Sequence, residues 1–118
     1  MRKELEERLI EFSATVFELS KSIEKESYGA YLLNQLFRST ASAALNYGEA
    51  QSAESKKDFI HKNGLVLKEL RESNVNLKII SKIGIVNDQV LLGKIKDESH
   101  QLVSIFYRIV QTAKKNRD

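Results

Sequence analysis

The 118-residue chain contains no cysteine, no proline and no tryptophan, and it has only five glycines. Without cysteine it cannot form a disulfide, a thiol nucleophile or a thiolate metal site. Without proline and with so few glycines, little interrupts a helix, so helix is favoured throughout. The chain also lacks an apolar segment long enough to cross a bilayer and the apolar centre of a signal peptide. We therefore expect a soluble, cytoplasmic protein with no membrane partner.

Apolar residues recur every three or four positions in four segments, which is the spacing of amphipathic helices. The first stripe consists of Leu5, Leu9, Phe12, Val16, Leu19 and Ile23. Later stripes predict helices over about 30–47, 56–83 and 88–114, with Phe37 inward on the second and both Leu91 and Ile109 inward on the fourth. The length allows one modest core. The sequence therefore predicts an all-α fold, an up-down-up-down antiparallel four-helix bundle, with residues 1–118 as a single domain.

Several residues carry the signals of helix ends. Ser55-Lys56-Lys57-Asp58 has the form of a capping box, in which the Asp58 carboxylate reaches back to the backbone of Ser55. Gly84 is the expected stop of the third helix. Asn87 is the expected N-cap of the fourth helix. Residues 48–54 are the expected connection between the second and third helices.

The net charge of +3 is too small to indicate a nucleic-acid ligand by itself, but the charge is unevenly distributed. Residues 1–26 have a net charge of −2 and residues 27–55 of −1, whereas residues 56–82 carry seven basic and three acidic groups, a net charge of +4. Helical phase gathers five of the seven basic side chains, together with one histidine, on one side of the third helix, and we call these six residues the basic face. They are Lys57, His61, Lys68, Arg71, Lys78 and Lys82. At 1.5 Å per residue the face is roughly 35–40 Å long.

Two interpretations of the basic face remain open. It could follow a phosphate backbone, with strong dependence on salt. It could equally be a solvated helix side that is partly neutralised by Glu72 and by neighbouring helices. The small residues at positions 39–44 of the second helix are open in the same way, since they suit tight packing inside the bundle as well as a contact between subunits.

Residues that could carry out chemistry are sparse, and we expect no enzyme, no cofactor and no catalytic residue. The chain has no nucleophile elbow and no glycine-rich phosphate loop. Asp58/His61 and Asp97/His100 have a spacing similar to that of paired-metal helical bundles, but helical phase turns both histidines away from the core, so no metal is expected.

Polar residues near the junction of the second and third helices keep one enzymatic hypothesis open. They are Asn46, Glu49, Glu54 and Asp58. A carboxylate cluster there could bind a cation in a metal-dependent hydrolase. Such groups more often cap helix ends, and we favour that interpretation.

The same junction carries a recognisable pattern. The segments concerned are Asn46-Tyr47, Glu49-Ala50, residues 54–62 and residues 67–73. Together they resemble the central signature of the bacterial four-helix-bundle proteins encoded in 23S ribosomal RNA intervening sequences. The likeness covers about residues 5–113 in helix layout, with the specific motifs in residues 38–80. Many members have Asn-Ile-Ala-Glu-Gly where this chain has Asn46-Tyr47-Gly48-Glu49-Ala50, which indicates a distinct branch.

The resemblance implies more than the residue pattern does. Proteins of this family form ring-like homopentamers, and a related accessory protein of diversity-generating retroelements contacts nucleic acid and a reverse transcriptase through basic surface. The family supplies no catalytic residue, and the positions that carry over as fold-defining are Asn46, Glu49, Asp58, Phe59 and Glu69. We therefore expect a homo-oligomer, a pentamer, whose basic face contacts RNA, DNA or a nucleic-acid-associated protein. The alternative is a protein-protein scaffold with no nucleic-acid role.

Overall fold

The computed structural model describes residues 2–23 and 27–116, which form four α-helices. Helix α1 spans Arg2–Ser20, α2 spans Tyr28–Gln51, α3 spans Lys56–Ile83 and α4 spans Gln89–Lys115. Each helix packs against the one before it, and α1 also packs against α4, so the four helices stand at the corners of a square in cross-section. This confirms the all-α four-helix bundle, which is 49 Å long and 22 by 19 Å across.

Short polar side chains start three of the helices. The hydroxyls of Ser27 and Ser55 each accept a hydrogen bond at 3.0 Å from the backbone N–H three residues later. For α4 the carboxylate of Asp88 accepts from the N–H of Leu91 at 3.0 Å. The prediction that Asn87 is this cap was therefore one residue early, and a carboxylate at Asp88 also complements the positive end of the helix dipole. At the other end of α3, Gly84 adopts the predicted left-handed conformation, with φ of 76°.

Helix α2 is longer than the sequence predicted. It begins at Tyr28 because Ser27 caps it, and it continues through Gly48 to Gln51. The last turn remains helical because Ala50, only 1% exposed, packs into the bundle. The connection to α3 is therefore only residues 52–55.

Each helix contributes one stripe to the core. The predicted stripe of α1 is confirmed from Leu5 to Leu19, whose members are all buried, but its last member, Ile23, lies beyond the end of the helix at Ser20 and is half-buried. On α4 the stripe is rotated by about a tenth of a turn from the prediction, because Leu92 and Val110 are buried whereas Leu91 and Ile109 are half-buried. Within the described residues, no helix combines the length and apolar composition needed to cross a bilayer.

Phe37 is the clearest departure from the predicted core. Its side chain is 36% exposed on the edge of α2 that faces α1, where its ring lies 5.6 Å from the ring of Phe17. The position of Phe37 lies about a quarter of a turn from the centre of the buried stripe of α2. Its side chain therefore borders the core without entering it.

A forked ion pair joins α1 to α4. Arg8 donates through Nε to one oxygen of Glu98 at 3.0 Å and through Nη2 to the other at 2.8 Å. Nη2 also donates to Gln101 Oε1 at 3.3 Å. The hydrogen bond with Glu98 raises the pKa of Arg8, outweighing the opposite effect of partial burial. This pair links the first and last helices of the bundle.

Candidate nucleic-acid interface

The basic face lies open to solvent along α3. All six of its side chains are exposed, from Lys57 in the first turn of the helix to Lys82 in the last. Within residues 2–23 and 27–116, none of the six forms an ion pair or a hydrogen bond with another side chain. The structure therefore brings the predicted residues together on one surface, where their charges are available to a ligand.

The acidic residues of the same segment are mostly turned away from this surface. Glu69 accepts a hydrogen bond at 3.0 Å from the hydroxyl of Ser42 on α2. Asp58 lies 3.6 Å from Nζ of Lys62, on the side of α3 that meets α2. Of the three acidic groups only Glu72 is exposed. The five Lys and Arg side chains of the basic face and Glu72 therefore account for the whole net charge of +4 in residues 56–82.

The positions expected to define the fold lie where α2 and α3 meet. Asn46 donates through Nδ2 to the carbonyl oxygen of Ser42 at 2.9 Å, and the hydroxyl of Ser42 in turn binds Glu69. Nζ of Lys62 lies 3.7 Å from Glu49 and 3.6 Å from Asp58. Two polar clusters thus tie the hairpin together, one along its length and one near its turn.

Asp58 and Phe59 complete this hairpin. The N–H of Asp58 donates to Ser55 Oγ as predicted, but its carboxylate accepts from the N–H of Glu54 at 3.3 Å, one residue before the position expected for a capping box. Phe59 is half-buried and lines a small surface pocket together with Ile109 and Ala113 of α4. Two carboxylates of the junction are therefore engaged, that of Asp58 in helix capping and ion pairing and that of Glu49 in ion pairing.

The two Asp-x-x-His pairs do not point into the core. His61 and His100 are both exposed, and Asp97 accepts a hydrogen bond at 3.0 Å from Gln101. In the part of the chain that the structure describes, no group of three or more histidine, aspartate or glutamate residues could hold a metal ion.

An aromatic ring on α4 borders the basic face. The guanidinium carbon of Arg71 lies 5.9 Å from the ring centroid of Tyr107, which is within the range of a cation–π contact. Tyr107 is 47% exposed, so much of the ring is in solvent. Helical spacing places Lys96, His100 and Lys114 on the same side of α4. The sequence analysis did not predict that the basic surface continues onto α4. Helical phase could have placed Tyr107 on the surface, because its position lies about 100° from the centre of the buried stripe.

A different kind of surface lies between α1 and α2. Here an apolar groove of about 840 Å³, which we call the α1–α2 groove, runs between the two helices. Its large apolar residues are Ile10, Phe17, Phe37 and Leu45. Its small residues are Ala14, Ala41, Ala44 and Gly48. Its acidic residues are Glu6, Glu18 and Glu49.

The groove gives the small residues of α2 two separate roles. Ser39, Thr40 and Ala43 are buried inside the bundle, where Thr40 donates to the hydroxyl of Ser13 on α1 at 3.2 Å. Ala41 and Ala44 instead line the groove. Some small residues of α2 therefore fit packing inside the bundle, and others are placed where a contact between subunits could form.

Comparison with known proteins gives a family match and a structural match. A family model described as 23S rRNA-intervening sequence protein matches residues 4–108. No curated protein matches the chain in sequence. A crystal structure of a protein with unknown function from the S23 ribosomal protein family, from Bacteroides thetaiotaomicron, is similar with a TM-score of 0.81. The alignment has 24% identity and covers 94% of this chain and 99% of that one, so the likeness concerns the fold.

Proposed function

The chain belongs to the 23S rRNA-intervening sequence protein family, and on that premise we propose that it is a non-enzymatic, oligomeric scaffold that contacts nucleic acid or a nucleoprotein through the basic face. A relationship to the accessory protein of diversity-generating retroelements is part of this proposal. The motif residues at the α2–α3 junction support it indirectly, because they resemble the central signature of the intervening-sequence family, to which that accessory protein is related.

The observation that carries the proposal is the exposure of the six basic-face residues without an intramolecular ion pair in residues 2–23 and 27–116. A basic side chain already paired with a carboxylate gains little from a phosphate, because the first ion pair must be broken. An unpaired surface cation can bind a phosphate and release the counterions condensed on the nucleic acid. A row of such cations along roughly 35–40 Å of helix suits a linear polyanion.

We propose that the chain assembles through the α1–α2 groove with a second copy of itself as the occupant. Exposed apolar side chains such as Leu45, at 73%, and Ile10, at 54%, favour burial against a partner. Ala41, Ala44 and Gly48 would allow a helix of that partner to approach closely. Because the groove lies on α1 and α2, assembly there leaves α3 free for a ligand, and a head-to-tail contact of this kind can close into the expected pentameric ring.

A single preparation tests both parts of the proposal. Size-exclusion chromatography with light scattering, run with and without prior nuclease treatment, reports the number of subunits and any co-purifying nucleic acid. We expect an oligomer in both runs and a loss of ultraviolet absorbance at the nucleic-acid wavelength after nuclease. A monomer in both runs contradicts the assembly, and failure to bind any RNA or DNA at low salt contradicts the proposed ligand.

The α1–α2 groove also favours a second candidate, a protein-protein scaffold with no nucleic-acid role. Its apolar walls and acidic residues would suit a partner protein as well as another subunit. Recovery of one partner in a fixed ratio after nuclease treatment supports this candidate. Replacement of basic-face lysines would then leave that recovery unchanged.

A further inference from the structure

Tyr107 is an aromatic residue for which the bundle provides little burial. Its ring is 47% exposed, while the neighbouring Phe106 is completely buried and packs edge-on against Tyr47 with ring centroids 5.3 Å apart. Phe106 therefore packs in the core, whereas Tyr107, the next residue, lies on the surface. A large aromatic ring left half in solvent has apolar area available for a ligand.

The surroundings of Tyr107 define what that ligand would be. Arg71 of the basic face lies 5.9 Å from the ring centroid, and Lys68 and Lys78 are exposed on the same face of α3. An aromatic ring with cations beside it matches a nucleotide, because the ring can stack on the base while the cations bind its phosphates. Arg71 can itself stack on a base or bind a phosphate.

Single strands and duplexes differ in how easily an aromatic side chain can reach the face of a base. In a duplex the bases are stacked on each other, and a protein ring can reach a base face only if a step is unstacked, which costs free energy. In a single strand the base faces are already accessible, and aromatic stacking is tolerant of sequence. Tyr107 is partly exposed on the outside of α4, where a free base could approach its ring without the unstacking that a duplex requires.

We infer that Tyr107 and Arg71 form a stacking site for an unpaired nucleobase, so that the basic face prefers single-stranded RNA or DNA to duplex. The inference rests on the proposed nucleic-acid function and specifies its ligand. The shared chemistry is a flexible phosphodiester chain with free bases. The test below uses both RNA and DNA strands, so it shows whether the preferred sugar is ribose or deoxyribose.

The test measures the affinity of the whole protein for labelled oligonucleotides of about 20 nucleotides, as single strands of RNA and DNA and as a duplex of the same length. Four proteins are compared: the unchanged chain, Tyr107→Leu, Tyr107→Phe and the control Tyr31→Leu. Tyr31 is a matched control because it is also an exposed tyrosine, 63% exposed, but lies on α2. Each single strand carries one 2-aminopurine, whose fluorescence falls when it stacks on an aromatic ring. Circular dichroism confirms that each variant folds.

We expect Tyr107→Leu to weaken single-strand binding by about tenfold or more and duplex binding by less than about twofold. Tyr107→Phe should retain the affinity and the 2-aminopurine quenching, because the ring is preserved, and Tyr31→Leu should change neither. Equal weakening of both ligands, unchanged single-strand affinity in Tyr107→Leu, or a preference of the unchanged chain for duplex overturns the stacking site while leaving the proposed function in place. Absence of binding by the unchanged chain overturns both.

Discussion

The α1–α2 side of the bundle and the outer side of α3 are both exposed, yet they display opposite chemistry. The first presents apolar side chains with carboxylates beside them, as at Leu45 and Glu49. The second presents six basic side chains with a tyrosine beside them. The same division appears along the sequence, since residues 1–26 have a net charge of −2 and residues 56–82 of +4.

Both surfaces differ from the core in that the packing of the bundle does not determine which side chains they carry. Most of the core consists of buried residues on the sides of these helices that face into the bundle, although Ala44 of the groove also packs against it. Leu45 is 73% exposed and Lys68 is exposed, so neither contributes much to the packing of the monomer. We infer that the two surfaces have separate uses, one for assembly and the other for a ligand, and changes confined to one surface can test this.

The largest effect is expected from charge reversal on α3. Replacement of Lys57, Lys68, Arg71 and Lys78 by glutamate should reduce nucleic-acid binding below detection, because attraction to phosphate becomes repulsion. The mass in light scattering should stay unchanged, since none of these residues lines the α1–α2 groove. A control variant replaces Lys3, Lys21, Lys94 and Lys115 by glutamate, which makes the same change in net charge elsewhere. Equal loss of binding in both variants would show that net charge, and not the basic face, matters.

Salt should affect the two surfaces in opposite ways. If about four or five phosphates are neutralised, affinity for nucleic acid should fall roughly a hundredfold or more between about 50 mM and about 200 mM salt. Assembly through an apolar groove should persist or strengthen over that range, because hydrophobic burial is not screened. Titrations by fluorescence anisotropy and mass measurements at each salt concentration give the two responses. Loss of the oligomer in step with the ligand would show that one surface serves both purposes.

Leu45→Glu should break the assembly and weaken nucleic-acid binding only indirectly. A charge placed in the α1–α2 groove would be buried unpaired in the subunit contact, so the protein should become monomeric. Affinity for a long strand should then fall by about tenfold or more through loss of multivalency, while affinity for a short strand stays the same. Val90→Glu is the matched control, because Val90 is also 73% exposed but lies in the first turn of α4. An oligomer in both variants would rule out the groove as the contact.

The smallest effect is expected where α1 meets α4. Arg8→Gln removes the forked pair with Glu98 and should lower the free energy of unfolding by about 1 kcal/mol. Lys21→Gln removes the exposed ion pair between Lys21, just beyond the end of α1, and Glu18, and should cost less than about 0.5 kcal/mol. Because the pKa of Arg8 is raised, its contribution is present below the ordinary arginine pKa and is lost only above it, so it should be constant near neutral pH. Urea unfolding measures both variants, and equal costs would contradict a special role for the fork.

The sequence predicted the features that depend on a single helix. Helical phase was enough to predict the buried stripe of α1 and the exposure of the basic face. The conformational freedom of glycine was enough to predict that α3 ends at Gly84. The uses proposed for these surfaces stay predictions.

Features that depend on two helices were missed for a physical reason. Helical phase shows which residues share a side, but not which neighbour covers that side or how far it is rotated. Phe37 was expected in the core but lies beside Phe17 at its edge. On α4, Leu92 and Val110 are buried where Leu91 and Ile109 were expected to be. The contact between Arg71 and Tyr107 is of the same kind, because it exists only once α4 lies against α3.

The length of the bundle, 49 Å, sets a scale for whatever binds along it. In the proposed ring, a short oligonucleotide would touch the lysines of one subunit only, whereas a longer one would reach the same lysines on the next copy. Each further subunit would then add to residence time without any new type of contact. Such an assembly would discriminate by the length of the nucleic acid, retaining long molecules and releasing short fragments.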